Sequence, residues 1–545
     1  MLISFKDIPD MSTKLFLDYL YDFSKTEKFY PGNYNNTGQW NSLLTKVSSK
    51  DPAHRKTLAA TLLEQNTRFG NSEKALRNIR LLENANSVAV VTGQQMGLFG
   101  GPLYTIYKAL GTVKLCETYQ MQFPEFQFVP VFWMELEDHD LEEIRSLQLF
   151  NIENDIQFIS YNGADAENKK KSPINTITLN EDIRRVLQEV KTTLNTTDFS
   201  AQWITPLESA YHPDKSLSDA FGQWMASLLG KYGLVLMDPS DAAFKKLAAP
   251  VFKKELENAD TLHGLLLEQS SALKAAGYDV QVENEPTNLF IRDTGHSKHV
   301  LNKNGYDKFK IKAEDVGSHR DELIQLTGSD PGRFIPNVIL RPIVQDHLLP
   351  TFAYVGGPSE IAYFGQFKKI YEFFGIPEPL IVPRPFITVL EKKIKKAADK
   401  YGLTIEHIFN KRGGVVDEAA STGSGRAVAG DIELVSVNFR QEFDRIEKNL
   451  IAVDTSLKGA AETAWDKIDK AMKVLKDKTA DAEKRKNELT HSQLGKAVRH
   501  IFPNDQFQER EINALYYLNK YGPGFIDTIY EKMDVSGSGH QVIEL

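Results

Sequence analysis

The chain is short of several things. It holds one cysteine in 545 residues, Cys116, which excludes an intramolecular disulfide and any zinc site built from two or more thiolates. No run approaches the ~20 apolar residues that a membrane helix requires, and the opening MLISFKDIPD has no basic leader ahead of an apolar stretch. The expected location is the cytoplasm, with no membrane partner. Excess basic charge is also missing, since 65 Lys and Arg against 73 Asp and Glu leave a formal net charge of -8. No dense Lys/Arg run is interleaved with aromatics, so no nucleic-acid partner is expected, and an anionic membrane surface is disfavoured on the same ground.

What is present fits a folded protein of about three structural units, with 41% hydrophobic and 25% charged residues. Residues 1–85 read mostly as helices with polar breaks, a helical segment packing on a core. Residues 87–92 (SVAVVT) are a β-branched run, followed by a Gly-rich loop, a helix from about Leu103, and a second strand over 126–133. Strand, loop, helix, strand is a βαβ unit, which builds a parallel sheet. Residues 86–160 are therefore the first half of an α/β core, 161–335 are insertions with a core strand near 233–238, and 336–385 are the second half. Cys116 sits on the periodic helix and reads as a small buried apolar residue rather than a nucleophile.

Residues 386–500 read as an antiparallel coiled coil. One arm carries Ile387, Leu390, Ile394, Ala397 and Tyr401; after a Gly/Ser loop at 421–425, a longer arm carries a seam through Phe439, Phe443, Ile446, Leu450, Val453, Leu457, Ala460 and Ala464. Ile468, Met472 and Leu475 continue it after a slip in phase. The second arm outlasts the first, so a second copy of the chain is expected to cover it as a homodimer. Residues 501–545 are expected to pack back on the core.

Three constellations can carry chemistry. The loop of residues 93–102 places Gly93, Gly97, Gly100 and Gly101 between strand and helix, either as an anion seat of backbone N–H groups or as a tight turn needing positive φ. Gln94 and Gln95 add amides toward a polar ligand, and Tyr104 and Lys108 share a helix face at i,i+4. Lys108 is either a cation offered to that ligand or a solvated lysine. Next, Glu137, Asp138, His139 and Asp140 fall where a parallel strand ends, the place where open α/β sheets bind ligands. Three carboxylates around a histidine can hold an ammonium, orient a general base or ligate a divalent cation; the alternative is a solvated acidic turn. A metal ranks behind these, because no second spaced ligand set is visible. The last cluster holds Arg341, Gln345, Asp346, Gly357, Glu360, Tyr363 and Arg384, in which the arginines suit carboxylate or phosphate forks and the acids suit an amine. Loop chemistry is the plainer reading of the same residues.

The segments VTGQQMGLFGGPLYTIYKAL, PVFWMELEDHD, LRPIVQD, AYVGGPSEIAYFGQ, PRPFITVLE and FQER together resemble the bacillithiol-biosynthesis cysteine-adding enzymes, the BshC family, over nearly the whole chain. The resemblance implies a Rossmann-like core with connecting-peptide insertions and an α-helical coiled coil used for dimerisation. It implies a ligase whose substrates are cysteine and glucosaminyl-malate, joined by an amide bond in the last step of bacillithiol formation. The core layout also resembles class I aminoacyl-tRNA synthetases, but their His-x-Gly-His and Lys-Met-Ser-Lys-Ser signatures are missing and there is no P-loop, so ATP stays open as a cofactor. On this reading His139, between Asp138 and Asp140, is the candidate base with Glu137 beside it, while Lys108, Arg341, Arg384 and the loop amides meet the anionic groups. Two other readings stand beside it: a non-catalytic nucleotide- or metabolite-binding coiled-coil protein, and a synthetase-like adenylate-forming enzyme.

Overall fold

Five apolar, β-branched segments make one parallel sheet in the computed structural model, which describes residues 1–8, 13–137, 141–163, 174, 177–283, 285–292, 298–303, 308–311, 317–411 and 425–545. They are β1 (Ser87–Gln95), β2 (Gln127–Glu135), β3 (Val235–Met237), β4 (Thr351–Gly356) and β5 (Leu380–Pro383). Their interiors are buried on both faces, which is why they read as continuous apolar runs rather than alternating ones. The spatial order is β5-β4-β1-β2-β3, every pair parallel. β1 follows β2 in register from Ser87↔Gln127 to Gln95↔Glu135. The order reverses between β1 and β4, and a sheet of this kind opens a crevice outside the carboxyl ends of the strands at that switch point.

Four helices build that crevice: α1 (Leu103–Gln122), α3 (Leu340–Leu348) and α4 (Pro358–Phe364) line it, and α2 (Ala242–Glu257) holds a wall residue from behind. α1 packs on β1 and β2 and buries Cys116, whose thiol is pushed well above its ordinary pKa by burial. α4 starts as its residues demand, with Gly357 before it, Pro358 in the first turn, and the Glu360 carboxylate accepting the Gly357 N–H at 2.7 Å. The insertion contributes helices and a five-stranded antiparallel sheet that ends on Phe334–Pro336.

The chain divides into two compact units, Met1–Val389 with Gln506–Ile543, and Leu390–Asp505 with Glu544–Leu545. Three expectations need correction. Residues 386–390 are not the start of a helical arm but a strand, Phe386–Leu390, buried throughout. A five-residue apolar run fits either period, and its Ile-Thr-Val centre favours the pleated form. The N-terminal stretch is not wholly helical, because Leu2–Ile3 pairs antiparallel with the C-terminal strand His540–Glu544.

The third correction concerns the long arm. It is two helices, α5 (Gly425–Val453) and α6 (Lys458–Ile501), packed on each other. Asp454 leaves helical geometry at φ -155° and ψ 122°, and its carboxylate accepts the Ser456 N–H at 2.8 Å, the Asx-type competition with helix that Asp and Ser favour. Phe443 then meets Trp465 across the hairpin at 5.2 Å between ring centroids. Part of the seam therefore has an intrachain partner in α6, so the shortness of the Ile387–Tyr401 arm is not what leaves the rest uncovered.

Candidate active site

At the switch point lies a cavity of about 650 Å³. Its walls come from the ends of β1 (Gly93, Gln94, Gln95), β2 (Trp133, Glu135, Glu137) and β4 (Tyr354, Gly357), from Tyr104 and Lys108 on α1, and from Arg341, Glu360, Tyr363 and Arg384. Eleven of the expected site residues are thus brought together, which is what a shared origin at strand ends and helix starts should do.

Most of the charge in it is already paired. Lys108, with its side chain 1% exposed, donates to Glu360 at 2.7 Å, to the Gly93 carbonyl at 2.7 Å and to Gln94 at 3.3 Å. It is neither solvated nor an uncommitted cation. Burial lowers its pKa, opposed by Glu360. Burial pushes the Glu360 carboxyl up, but Lys108, the Gly357 N–H and the Tyr354 hydroxyl (2.6 Å) outweigh it and hold the group below its ordinary value. Arg341 pairs with Glu135 at 3.1 Å. Arg384 is 3% exposed, pairs with the fully buried Glu509 at 2.7 Å, and lies over the Phe386 ring at 3.9 Å and the Tyr104 ring at 5.3 Å. Such pairs are stiff, so they fix a charge pattern in place at the cost of desolvation.

The quartet at the end of β2 is only partly in view. Asp138, His139 and Asp140 lie outside the described residues. Glu137 does reach the cavity wall, where it is held by Lys245 of α2 at 2.6 Å. Lys245 is buried and its pKa is lowered by that burial, with Glu137 opposing.

Several expected residues turn out to support the site rather than line it. Gln345 accepts from Arg341 at 2.9 Å and donates to Asp346 at 2.8 Å, and neither borders this cavity. On a helix, Arg341 and Gln345 share a face while Asp346 turns away by 100°. Burial raises the Asp346 carboxyl to about 6. Gly100 and Gly101 have φ of 94° and 70° and pack beneath Trp224 and Thr105, away from the cavity.

The glycine loop commits several of its backbone amides to other partners. The N–H groups of Gly97, Gly100, Gly101, Leu103 and Thr105 donate to Gln95, Gly97, Leu98, Ile512 and Pro102. A Cβ on Gly97 would stand 2.6 Å from the Gly101 Cα, so Gly97→Val distorts the loop itself instead of merely blocking a ligand.

Other contributors were missed in the sequence. Trp133 is 1% exposed, lines the cavity and has an indole N–H without a hydrogen-bond partner among the described residues. Tyr354 links Glu360 to the Arg341 side of the site. The FQER segment carried a signal but no role: Gln508 binds both backbone groups of Val389, Glu509 holds Arg384 and the Ile387 N–H, and Arg510 borders the cavity.

The model of the bacillithiol biosynthesis BshC N-terminal Rossmann-like domain matches residues 2–385, and that of the BshC C-terminal coiled-coil domain matches residues 387–545. Relatives named "Putative cysteine ligase BshC" include one from Salinibacter ruber, 36% identical over 530 residues, covering 97% of this chain and 96% of its own. One from Chlorobaculum tepidum is 35% identical over 550 residues, with 98% and 97% covered, and one from Chlorobium phaeobacteroides is 34% identical over 569 residues, with 100% and 99% covered. Matched by both domain models and by relatives along nearly their whole length, the chain belongs to the BshC family.

Proposed function

We propose that the chain is a ligase that joins the carboxyl group of cysteine to the amine of glucosaminyl-malate. The observation that carries this reading is the full-length match to relatives named for cysteine ligation. The geometry supports it: a polar cavity at the sheet's switch point, with guanidinium groups for carboxylates and acids for an amine, suits two small charged substrates.

The chemistry sets the remaining requirements. Forming the amide makes a carbon–nitrogen bond and expels one carboxyl oxygen, so that oxygen must first become a leaving group. A nucleoside triphosphate is the class of co-reactant that supplies this, the oxygen departing on phosphate or on AMP. The amine must also lose a proton before it attacks, the task assigned to His139 between Asp138 and Asp140. Glu137, tied to Lys245, is suited to receiving an ammonium group rather than to moving a proton.

The test is to incubate the protein with glucosaminyl-malate and cysteine, with and without ATP, following the amide by mass spectrometry and the nucleotide product as AMP or ADP. Product is expected only with all three, and His139→Ala is expected to lower turnover by roughly 10²–10⁴-fold without shifting the melting temperature. Absence of the amide under every condition refutes the ligase reading; a folded His139→Ala at full turnover refutes the base assignment alone.

A homodimer through the helical arm is part of this proposal. What supports it is a stripe at heptad spacing on α5, Phe439, Ile446 and Val453, which stays 53%, 48% and 81% exposed beside α6.

A further inference from the structure

A second cavity of about 350 Å³ adjoins the first and shares Gln94, Gln95, Tyr104 and Arg510 with it. The side-chain amide of Gln94 donates to the Tyr104 hydroxyl at 2.9 Å, so these two residues form a bonded ridge bordering both spaces. The smaller space is otherwise walled by Gly97 and Pro102 of the glycine loop, Thr105 of α1, Ile144, Gln506 and Glu511.

The cation on the shared border differs from those that line only the larger cavity. Lys108, Arg341 and Arg384 each have a carboxylate partner, whereas the exposed Arg510 guanidinium has no ion pair or hydrogen bond among the described residues and only lies over the Tyr104 ring at 5.9 Å. Among these described cations it is the one with no carboxylate already on it. Glu511 accepts from Gln148 at 2.8 Å and borders the cavity. Thr105 is 1% exposed, and its hydroxyl has no hydrogen-bond partner among the described residues.

We infer that this smaller cavity is the subsite for the free amino acid, with Arg510 taking the α-carboxylate at the junction, Glu511 taking the α-ammonium, and the short side chain lying along Ile144 and the glycine loop. An adjacent guanidinium and carboxylate are the complement of a zwitterion. The volume is sufficient for a small amino acid, while the larger cavity is left for the bulkier amine-bearing substrate. The placement brings the carboxylate to the ridge where the two spaces meet, which is where an amine from the larger cavity can reach it. The inference rests on the ligase reading for the identity of the amino acid as cysteine.

Glu511→Gln and Thr105→Val are the discriminating variants, because both residues border only the smaller cavity and both changes keep the side chain's shape. Steady-state kinetics with both substrates, and calorimetric titration of L-cysteine into the full chain, should show KM and Kd for cysteine rising roughly tenfold in Glu511→Gln and less in Thr105→Val, with KM for glucosaminyl-malate within twofold of wild type. Arg510→Met should weaken L-cysteine by a similar factor but leave cysteamine, which lacks the carboxylate, unaffected. Product formed with an unchanged cysteine KM in folded Glu511→Gln and Arg510→Met overturns the subsite while the ligase reading stands. If the wild type makes no amide, the titrations decide alone: cysteine binding that these changes weaken keeps the subsite without the ligase, and binding that they leave intact removes it.

Discussion

Beside the cavity, four cation–carboxylate pairs are mostly withdrawn from solvent, and Arg384–Glu509 is almost wholly so at 3% and 0% exposure. Along the hairpin the arrangement is inverted. Arg440–Asp444, Arg445–Glu442 and Lys473–Asp469 stand in water at helical spacing, and apolar side chains stand uncovered among them. The sheet unit uses charge to fix a polar site within a dry interior, where each pair is expensive to break. The hairpin uses charge to stay soluble, where each pair matters little, and leaves its apolar side chains as its potential contact surface.

The sharpest way to break that comparison is Glu509→Ala. It strands the Arg384 guanidinium and the Ile387 N–H, and should cost about 3–5 kcal/mol in denaturant unfolding, whereas Arg440→Ala on the hairpin should cost under about 1 kcal/mol. Equal losses would erase the distinction.

Asp346 comes next. Its carboxyl sits at about 6 in the fold against an ordinary 3.8 because burial disfavours the charged form. A raised folded pKa means that the stabilising contribution is complete below the unfolded value and disappears as pH climbs through the folded one. Between about pH 4 and 7 this group should therefore remove on the order of 3 kcal/mol. Asp346→Asn should flatten that slope in urea titrations at the two pH values, and an unchanged slope would mean that the donors around the carboxylate compensate its burial.

The smallest effect on folding is expected from placing glutamate at Phe439, Ile446 and Val453 together. Exposed positions should tolerate the change, with the melting temperature nearly unmoved, while light scattering at micromolar concentration should report a dimer for the wild type and a monomer for the variant. A wild-type monomer, or a variant dimer, would sink the proposed assembly.

How much was legible depended on distance along the chain. The βαβ unit, the strand near 235 and the cluster at the strand ends follow from local patterns that physics enforces within ten or twenty residues: β-branched runs, a glycine loop, a periodic helix. The coiled-coil turn at Asp454 escaped because an antiparallel hairpin keeps the same apolar spacing on both sides of a tight connection. Phe386–Leu390 escaped because five apolar residues satisfy both periods. In the site, Lys108 and Glu360 were both legible as charged candidates, but their union across 252 positions was not. Arg510 and Glu511 gave no local sign of a pocket at all.

The sequence by itself determined the polar, single-cysteine composition, the parallel α/β core, the helical arm and the family, since each is written in composition, short-range periodicity or long contiguous motifs. Only the tertiary structure decided which charges were spent on each other and which were left for a ligand. That choice is made by side chains far apart in the chain: where they meet with water excluded, a lysine beside a glutamate becomes part of the wall, while an exposed arginine without a carboxylate stays open to a ligand.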